Sequence, residues 1–146
     1  MAASPRPAGY SATPLARKLG IKEGHSVQLI GAPNAWRIPD LPDAVDVRRA
    51  EGPEVDPEAL VVIAFYRSAA ELTHTAPEIA RGLAPAAALW VAWPRRAGGH
   101  HSDIGDQLLR EVLLPVGVVD VKVAALDQHW SGLKFVWRRE NRPRAR

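Results

Sequence analysis

The sequence predicts an α/β fold in which a mostly parallel sheet ends in an antiparallel hairpin. Between residues 60 and 114, short apolar runs alternate with segments of helical spacing, and parallel strands need crossover connections of this kind. The last two apolar runs are separated only by a short polar loop, which suits an antiparallel turn. At 146 residues, the chain is long enough for one domain with its own core.

The first half of the chain is predicted to hold a short helix and two strands. A threonine before a proline is typical of a helix start, and a following glycine of its end. An apolar run that breaks sharply into a turn is typical of a buried strand. A third, weaker apolar segment lies in the stretch from residue 34 to 57, which four prolines interrupt. These elements are a helix between Thr13 and Gly20, a first strand at Val27–Ile30 and a short strand at Ala44–Val47.

The second half is predicted to alternate strands and helices. Ala69–Leu83 has apolar residues at helical spacing, and we expect Pro77 to split or kink this helix. Ser102 or Asp103 can cap another helix that continues to Leu114. The strands are Leu60–Phe65, Ala87–Trp93, Val118–Leu126 and Leu133–Arg138, the last two joined by the loop Asp127–Gly132.

This order is typical of a Rossmann-like sheet, with helices expected on both faces. The segment between the first strand and Leu60 is too short for two complete strand–helix units. We therefore predict a single, reduced Rossmann-like domain over residues 10–140.

The ends of the chain differ from this core in composition. Residues 1–9 are rich in alanine and proline and predict a disordered leader, and residues 141–146 form a basic tail. Residues 138–146 hold five arginines and one glutamate, a charge of +4, which leaves −1 for the rest of a chain whose total is +3. Because the core lacks a basic stripe with interleaved aromatic residues, nucleic acid is not an expected partner.

Two absences exclude further classes of function. The chain has no cysteine, which excludes disulfides, thiolate nucleophiles and cysteine-ligated metal centres. No apolar run approaches the roughly 20 residues of a membrane span, and the start has no signal-peptide core. We expect a cytoplasmic protein that does not contact a membrane.

Specific motifs resemble two known groups of proteins. A bacterial domain-of-unknown-function family, DUF 3052, is resembled by the segments Gly9–Leu15, Lys18–Lys22 and Trp130–Val136. This family has no established activity, so the resemblance does not indicate one. The order of the elements, the closing hairpin and the segment Leu83–Val91 resemble a class I methyltransferase fold that depends on S-adenosylmethionine. The second resemblance implies a cofactor held by a glycine-rich turn after the first strand and by an acidic residue after the second.

The turn that would hold this cofactor is altered here. It reads Gly31-Ala32-Pro33-Asn34, with a single glycine and with a proline that lacks a backbone N–H. Asp46 or Glu51 could meet the ribose, although a solvated loop carboxylate is the better interpretation. We therefore predict a non-catalytic module that binds a small ligand or a protein. The alternative is an S-adenosylmethionine-dependent methyltransferase with an atypical cofactor site.

Ligands of open parallel sheets bind outside the carboxyl ends of the strands. Four predicted loops could meet there and form a basic rim with an aromatic side chain, suited to an anionic or planar ligand. The alternative is ordinary solvated surface. The candidate ligand-binding residues are Gly31, Ala32, Arg67, Arg95, Arg96, His129 and Trp130, with His100, His101 and Asp127 on the same rim.

No catalytic or metal-binding residue is assigned. Asp127, His129 and Ser131 share one short loop, in which three side chains cannot line up as a relay. The adjacent His100 and His101 are poorly placed to chelate one ion.

The tryptophans divide into core and surface candidates. Trp90 and Trp93 lie three residues apart in one strand, so they should pack on opposite faces of the sheet. Trp137 is also expected in the core. Trp36, in the proline-interrupted stretch, is the candidate for an exposed contact surface.

Overall fold

The computed structural model describes residues 13–143 and contains three α-helices and one sheet of six strands within them. The helices are α1 (Leu15–Lys18), α2 (Ala69–Arg81) and α3 (Asp106–Leu113). The strands are β1 (Ser26–Ile30), β2 (Asp46–Ala50), β3 (Val61–Phe65), β4 (Ala88–Pro94), β5 (Val118–Ala125) and β6 (Trp130–Trp137). The leader predicted at residues 1–9 and residues 144–146 of the tail lie outside the described residues. None of the helices between residues 13 and 143 could cross a membrane.

The strand order is β2-β1-β3-β4-β6-β5. The first four strands pair in parallel, whereas β6 runs antiparallel to both β4 and β5. The predicted α/β fold with a closing antiparallel hairpin is thereby confirmed. Because β2 and β3 flank β1 on opposite sides, the winding of the chain reverses at β1.

Each face of the sheet carries its own apolar layer. On one face, which we call the helical face, α2 and α3 pack on residues such as Val62 and Leu133. On the other, the loop face, α1 and the β1–β2 connection pack on residues such as Ile63. Trp90 is buried in the loop-face layer and Trp93 in the helical-face layer, as the alternation along a strand predicts. Trp137 is buried too, and its indole N–H donates to the Leu83 carbonyl at 3.0 Å.

The loop face is covered without a crossover helix. The connection from Gly31 to Val45 contains no helix, and its Trp36 and Ile38 side chains occupy the face where a helix would pack. Prolines in this stretch remove helix donors. The prediction that Trp36 forms an exposed contact surface is wrong, because only 7% of this residue is accessible.

β2 and β6 differ from the predicted strands by two or more residues at one end or both, whereas the other strands differ by at most one residue at each end. β2 lies at Asp46–Ala50 rather than Ala44–Val47, because Ala44 has a φ of 60°, which no strand residue adopts. As an edge strand with mostly exposed side chains, β2 carries little apolar signal. β6 begins at Trp130 rather than at Leu133, since its first residues pair with the end of β4. Trp130 is thus a strand residue and not a loop residue.

Two helix predictions also need correction. α2 continues through Pro77, so the predicted split is wrong, whereas the alternative of a kink stays a prediction. The buried face formed by Leu72, Ala76 and Ile79 outweighs the missing backbone donor. α3 begins at Asp106 after Gly105, and no side chain caps it. Asp103 instead accepts a hydrogen bond from the Ala69 N–H at 2.8 Å, at the start of α2.

Replacing Asp103 should therefore weaken α2 rather than α3. We expect Asp103→Ala to lower the free energy of unfolding by about 1 kcal/mol, the usual effect of losing a helix cap. The neighbouring exposed His101→Ala should change it by less than about 0.5 kcal/mol. Hydrogen exchange should show the loss at the first amides of α2. Faster exchange in α3 alone would contradict this assignment.

Candidate functional site

The carboxyl ends of β1, β2, β3 and β4 meet at one edge of the sheet, as the sequence predicts. Ile30 pairs with both Ala50 and Ala64, so the residues that follow these strands emerge side by side. Pro94, the last residue of β4, pairs with Trp130, which brings the hairpin loop to the same edge.

A crevice is expected at this edge between β1 and β3. The connection after β1 passes to the loop face, whereas β3 continues into α2 on the helical face. Two connections that leave neighbouring strands toward opposite faces form a topological switch point, the usual ligand position in open α/β sheets.

Gly31 directly follows β1 at this switch point, in a left-handed conformation that favours glycine. Its φ is +69°, and its N–H donates to the Ala50 carbonyl at 3.0 Å. A Cβ at this position would lie 3.2 Å from the Phe65 carbonyl oxygen at the end of β3. Close approach between the β1 turn and β3 therefore depends on the absence of a side chain. Ala32, the next predicted residue, packs partly buried against the loop-face layer.

The segment after Gly31 is fixed by contacts that the sequence did not suggest. The Arg49 guanidinium donates to the carbonyls of Pro33, at 3.1 Å, and Trp36. The Trp36 indole N–H donates to Asp127 Oδ2 at 2.9 Å. The Trp36 ring packs edge-on against Phe65, with 4.8 Å between the ring centroids. These contacts hold the segment on the sheet instead of starting a helix, so this turn offers a ligand no helix N-terminus.

Arg67 and Trp130 form a cation–aromatic pair at the same edge. The guanidinium carbon of Arg67 lies 5.2 Å from the Trp130 ring centroid. Trp130 is itself held edge-on against Phe65, 5.1 Å away. Arg67 is exposed and forms no ion pair with any residue between 13 and 143. The guanidinium is thus positioned by an aromatic ring while its donors stay available to a ligand.

The hairpin loop is held by Asp127 and by a histidine pair. Asp127 Oδ1 accepts from the backbone N–H groups of His129, at 2.7 Å, and Trp130, at 2.8 Å. His100 Nε2 and His129 Nδ1 lie 3.0 Å apart, and the Arg95 N–H donates to the His129 carbonyl at 2.8 Å. His129 therefore contacts the β4 loop.

Arg95 and Arg96, the other two arginines of the predicted rim, have different neighbours. Arg96 lines a cavity of about 250 Å³ with Trp93, His100 and Asp106, beside the start of α3. Arg95 lies close enough to Lys18, on the loop face, to contribute to lowering the pKa of that lysine. The residues of the predicted rim thus have different surroundings. The ends of β1 and β3 are surrounded by Gly31, Arg67 and Trp130, whereas Arg95 and Arg96 have other neighbours. The ligand-binding roles of all seven candidate residues stay predictions.

Three further groups bear on the chemistry of the edge. Glu51 is exposed and directly follows β2, whereas Asp46 lies at the opposite end of that strand, paired with Arg48 at 2.9 Å. Asp46 is thus too far along the strand to reach a ligand at Gly31. Burial raises the pKa of Tyr66 to about 12, so its hydroxyl, 2.6 Å from Thr75 Oγ1, stays protonated at neutral pH and cannot act as a base. Within residues 13–143, no group of three or more histidine or acidic side chains could hold a metal ion.

Solved structures share this fold, among them one of a SAM-dependent methyltransferase. This methyltransferase, from Aquifex aeolicus, has a TM-score of 0.55 at 14% identity, over 83% of this chain and 86% of its own. TrmN from Thermus thermophilus gives 0.53 at 16% identity, over 85% of this chain and 47% of its own. Magnesium protoporphyrin IX methyltransferase from Synechocystis PCC 6803, with bound S-adenosylmethionine, gives 0.50 at 9% identity, over 85% and 74%.

These likenesses show that the fold is methyltransferase-like. A comparison with family models gives no match, and neither does a comparison with curated proteins. The resemblance to DUF 3052 therefore stays a prediction.

Proposed function

We propose that this chain binds a small adenosyl-type ligand, of the S-adenosylmethionine class, in the crevice between β1 and β3. The observation that carries the proposal is the reversal of strand order at β1, with Gly31 in a left-handed turn at the carboxyl end of that strand. The methyltransferase-like fold supports the same position, because one of the similar structures contains S-adenosylmethionine.

Side chains at the edge suit the parts of such a ligand. Glu51 follows β2, where a carboxylate can accept hydrogen bonds from ribose hydroxyls. Arg67 can pair with a carboxylate, and the adjacent Trp130 ring fixes its position. Since Pro33 lacks an N–H and no helix starts at this turn, side chains rather than the backbone would supply most of the binding.

Methyl transfer is the second candidate function. The likeness to solved methyltransferases supports it better than it supports the non-catalytic module that the sequence predicts. The contacts of Arg49 and Trp36 hold the turn on the sheet and bear equally on both functions. Both functions require the same adenosyl site, so binding is the first property to measure.

Gly31→Ala provides the test of the site. We expect it to weaken S-adenosylmethionine binding at least tenfold in calorimetric titration and to lower stability by about 1–2 kcal/mol, because its Cβ meets Phe65 in a left-handed backbone. Gly24→Ala is the matched control: Gly24 has a φ of +78° but no atom within 4 Å of the added Cβ. It should be strained similarly and bind normally. Failure of the wild type to bind S-adenosylmethionine, S-adenosylhomocysteine or adenosine would overturn the proposal.

Transfer can be distinguished from binding by labelling. If the chain is a methyltransferase, tritium from methyl-labelled S-adenosylmethionine should appear in an acceptor fraction of a cell extract with the wild type and not with Gly31→Ala. Binding without incorporation would support the module. The Gly24→Ala variant again controls for backbone strain.

A further inference from the structure

A second charged feature lies on the loop face, away from the crevice, where two lysines are cross-strand neighbours and a third reaches the end of β5. Lys122 of β5 and Lys134 of β6 are direct cross-strand partners, so their side chains project from the same face of the sheet. Lys134 Nζ lies 3.8 Å from the position of a Cβ on Gly20, just after α1. Lys18, in α1, donates from Nζ to the carbonyl of Ala125, the last residue of β5, at 3.0 Å.

Among residues 13–143, no acidic side chain forms an ion pair with these lysines, although Asp40 and Asp127 line the same cavity as Lys18. The ion pairs between described residues all use Arg48 or Arg110, and none reaches a lysine. Like charges directly opposite each other across two strands are destabilising. Burial is the largest cause that lowers the pKa of Lys18, and the positive charges of Lys122 and Arg95 lower it further. These charges therefore repel the Lys18 ammonium group.

Protection of a sheet edge explains only part of this arrangement. β5 is an edge strand, and a lysine such as Lys122 commonly discourages pairing with another chain. β6 lies inside the sheet, between β4 and β5, and has no free edge to protect. Lys134 is nevertheless half-buried in the middle of that strand. Edge protection therefore does not explain Lys134.

We propose that Lys18, Lys122 and Lys134 form an anion-binding site for a phosphate group. A phosphate offers several acceptor oxygens to three separate ammonium groups and neutralises charges that otherwise repel. The residues of this anion-binding site differ from those of the crevice, so the site does not depend on the proposed adenosyl ligand. Free inorganic phosphate and the phosphate of a nucleotide are both sources of this chemistry.

Thermal unfolding of the full chain tests the site. Sodium phosphate at about ten times its dissociation constant should raise the melting temperature of the wild type by about 4 °C over sodium chloride of equal ionic strength. Lys134→Gln should abolish this rise, and in dilute sodium chloride it should melt at or above the wild-type temperature, because the repulsion is relieved. Lys22→Gln removes an exposed lysine outside the cluster and should keep the full response.

Two further ligands distinguish phosphate binding from a general effect of anions. Sodium acetate should give no rise, and adenosine monophosphate a rise at least equal to that of phosphate. The proposal would be overturned by an equal rise in wild type and Lys134→Gln, by no rise in the wild type, or by an equal response to acetate. A failure of S-adenosylmethionine to bind would leave these results unchanged, since the residues differ.

Discussion

Trp36→Ala is expected to lower the free energy of unfolding by about 3–5 kcal/mol, the usual range for removing a buried aromatic side chain. Trp36 is 7% accessible and packs edge-on against Phe65. Its indole also donates to Asp127, in the hairpin loop 91 positions further along the chain. The substitution therefore removes core packing and detaches the β1–β2 connection from the sheet. Urea-induced unfolding measures the loss.

Trp36→Phe separates the two contributions. It keeps an aromatic ring against Phe65 but leaves Asp127 Oδ2 without its indole donor, and we expect a loss of about 1–3 kcal/mol. Asp127→Asn alone is less informative, because Oδ1 also accepts two backbone N–H groups. A Trp36→Ala variant as stable as the wild type would mean that the connection is held by Arg49 alone.

The parts of the fold that the sequence predicts are those with strong local patterns. The buried strands β1, β3 and β4 are continuous apolar runs, and α2 has a complete apolar face, so each is recognisable without its neighbours. β2 and the β1–β2 connection are not, because long-range contacts such as Trp36 with Asp127 determine their conformation. An exposed edge strand and an irregular crossover have no periodicity from which to predict them.

The sequence could place residues at the carboxyl edge of the sheet, but it could not predict their contacts there. The carboxyl ends of parallel strands share an edge in any such sheet, so Gly31 and Arg67 could be placed there from their order in the chain. The different surroundings of Arg95 and Arg96 could not be predicted, because they depend on contacts with segments distant in the sequence. The lysine cluster was missed for a similar reason. Lys122 and Lys134 become neighbours only through the register of β5 and β6, which a bulge between Asp120 and Lys122 shifts.

Gln28→Leu should lower the free energy of unfolding by about 2–4 kcal/mol. Gln28, in β1, is buried at 5% accessibility, and both ends of its amide are used. Nε2 donates to the Glu54 carbonyl and Oε1 accepts from the Asp56 N–H, each at 2.8 Å. Leucine fits the volume but leaves two backbone groups of the β2–β3 connection without partners, which costs about 1–3 kcal/mol for each buried group. Chemical unfolding measures the change.

Gln107→Leu is the matched control, since Gln107 is exposed on α3 and its bond to Glu111 is long, at 3.4 Å. It should change stability by less than about 0.5 kcal/mol. Equal effects of the two substitutions would show that Gln28 does not hold the connection. If it does, Gln28→Leu should also weaken adenosyl binding in calorimetry below the unfolding transition, because the released segment begins at Glu51. If the Gln28→Leu variant is destabilised but binds the adenosyl ligand with unchanged affinity, Glu51 does not belong to the proposed site. Gly31 and Arg67 would then be its remaining residues.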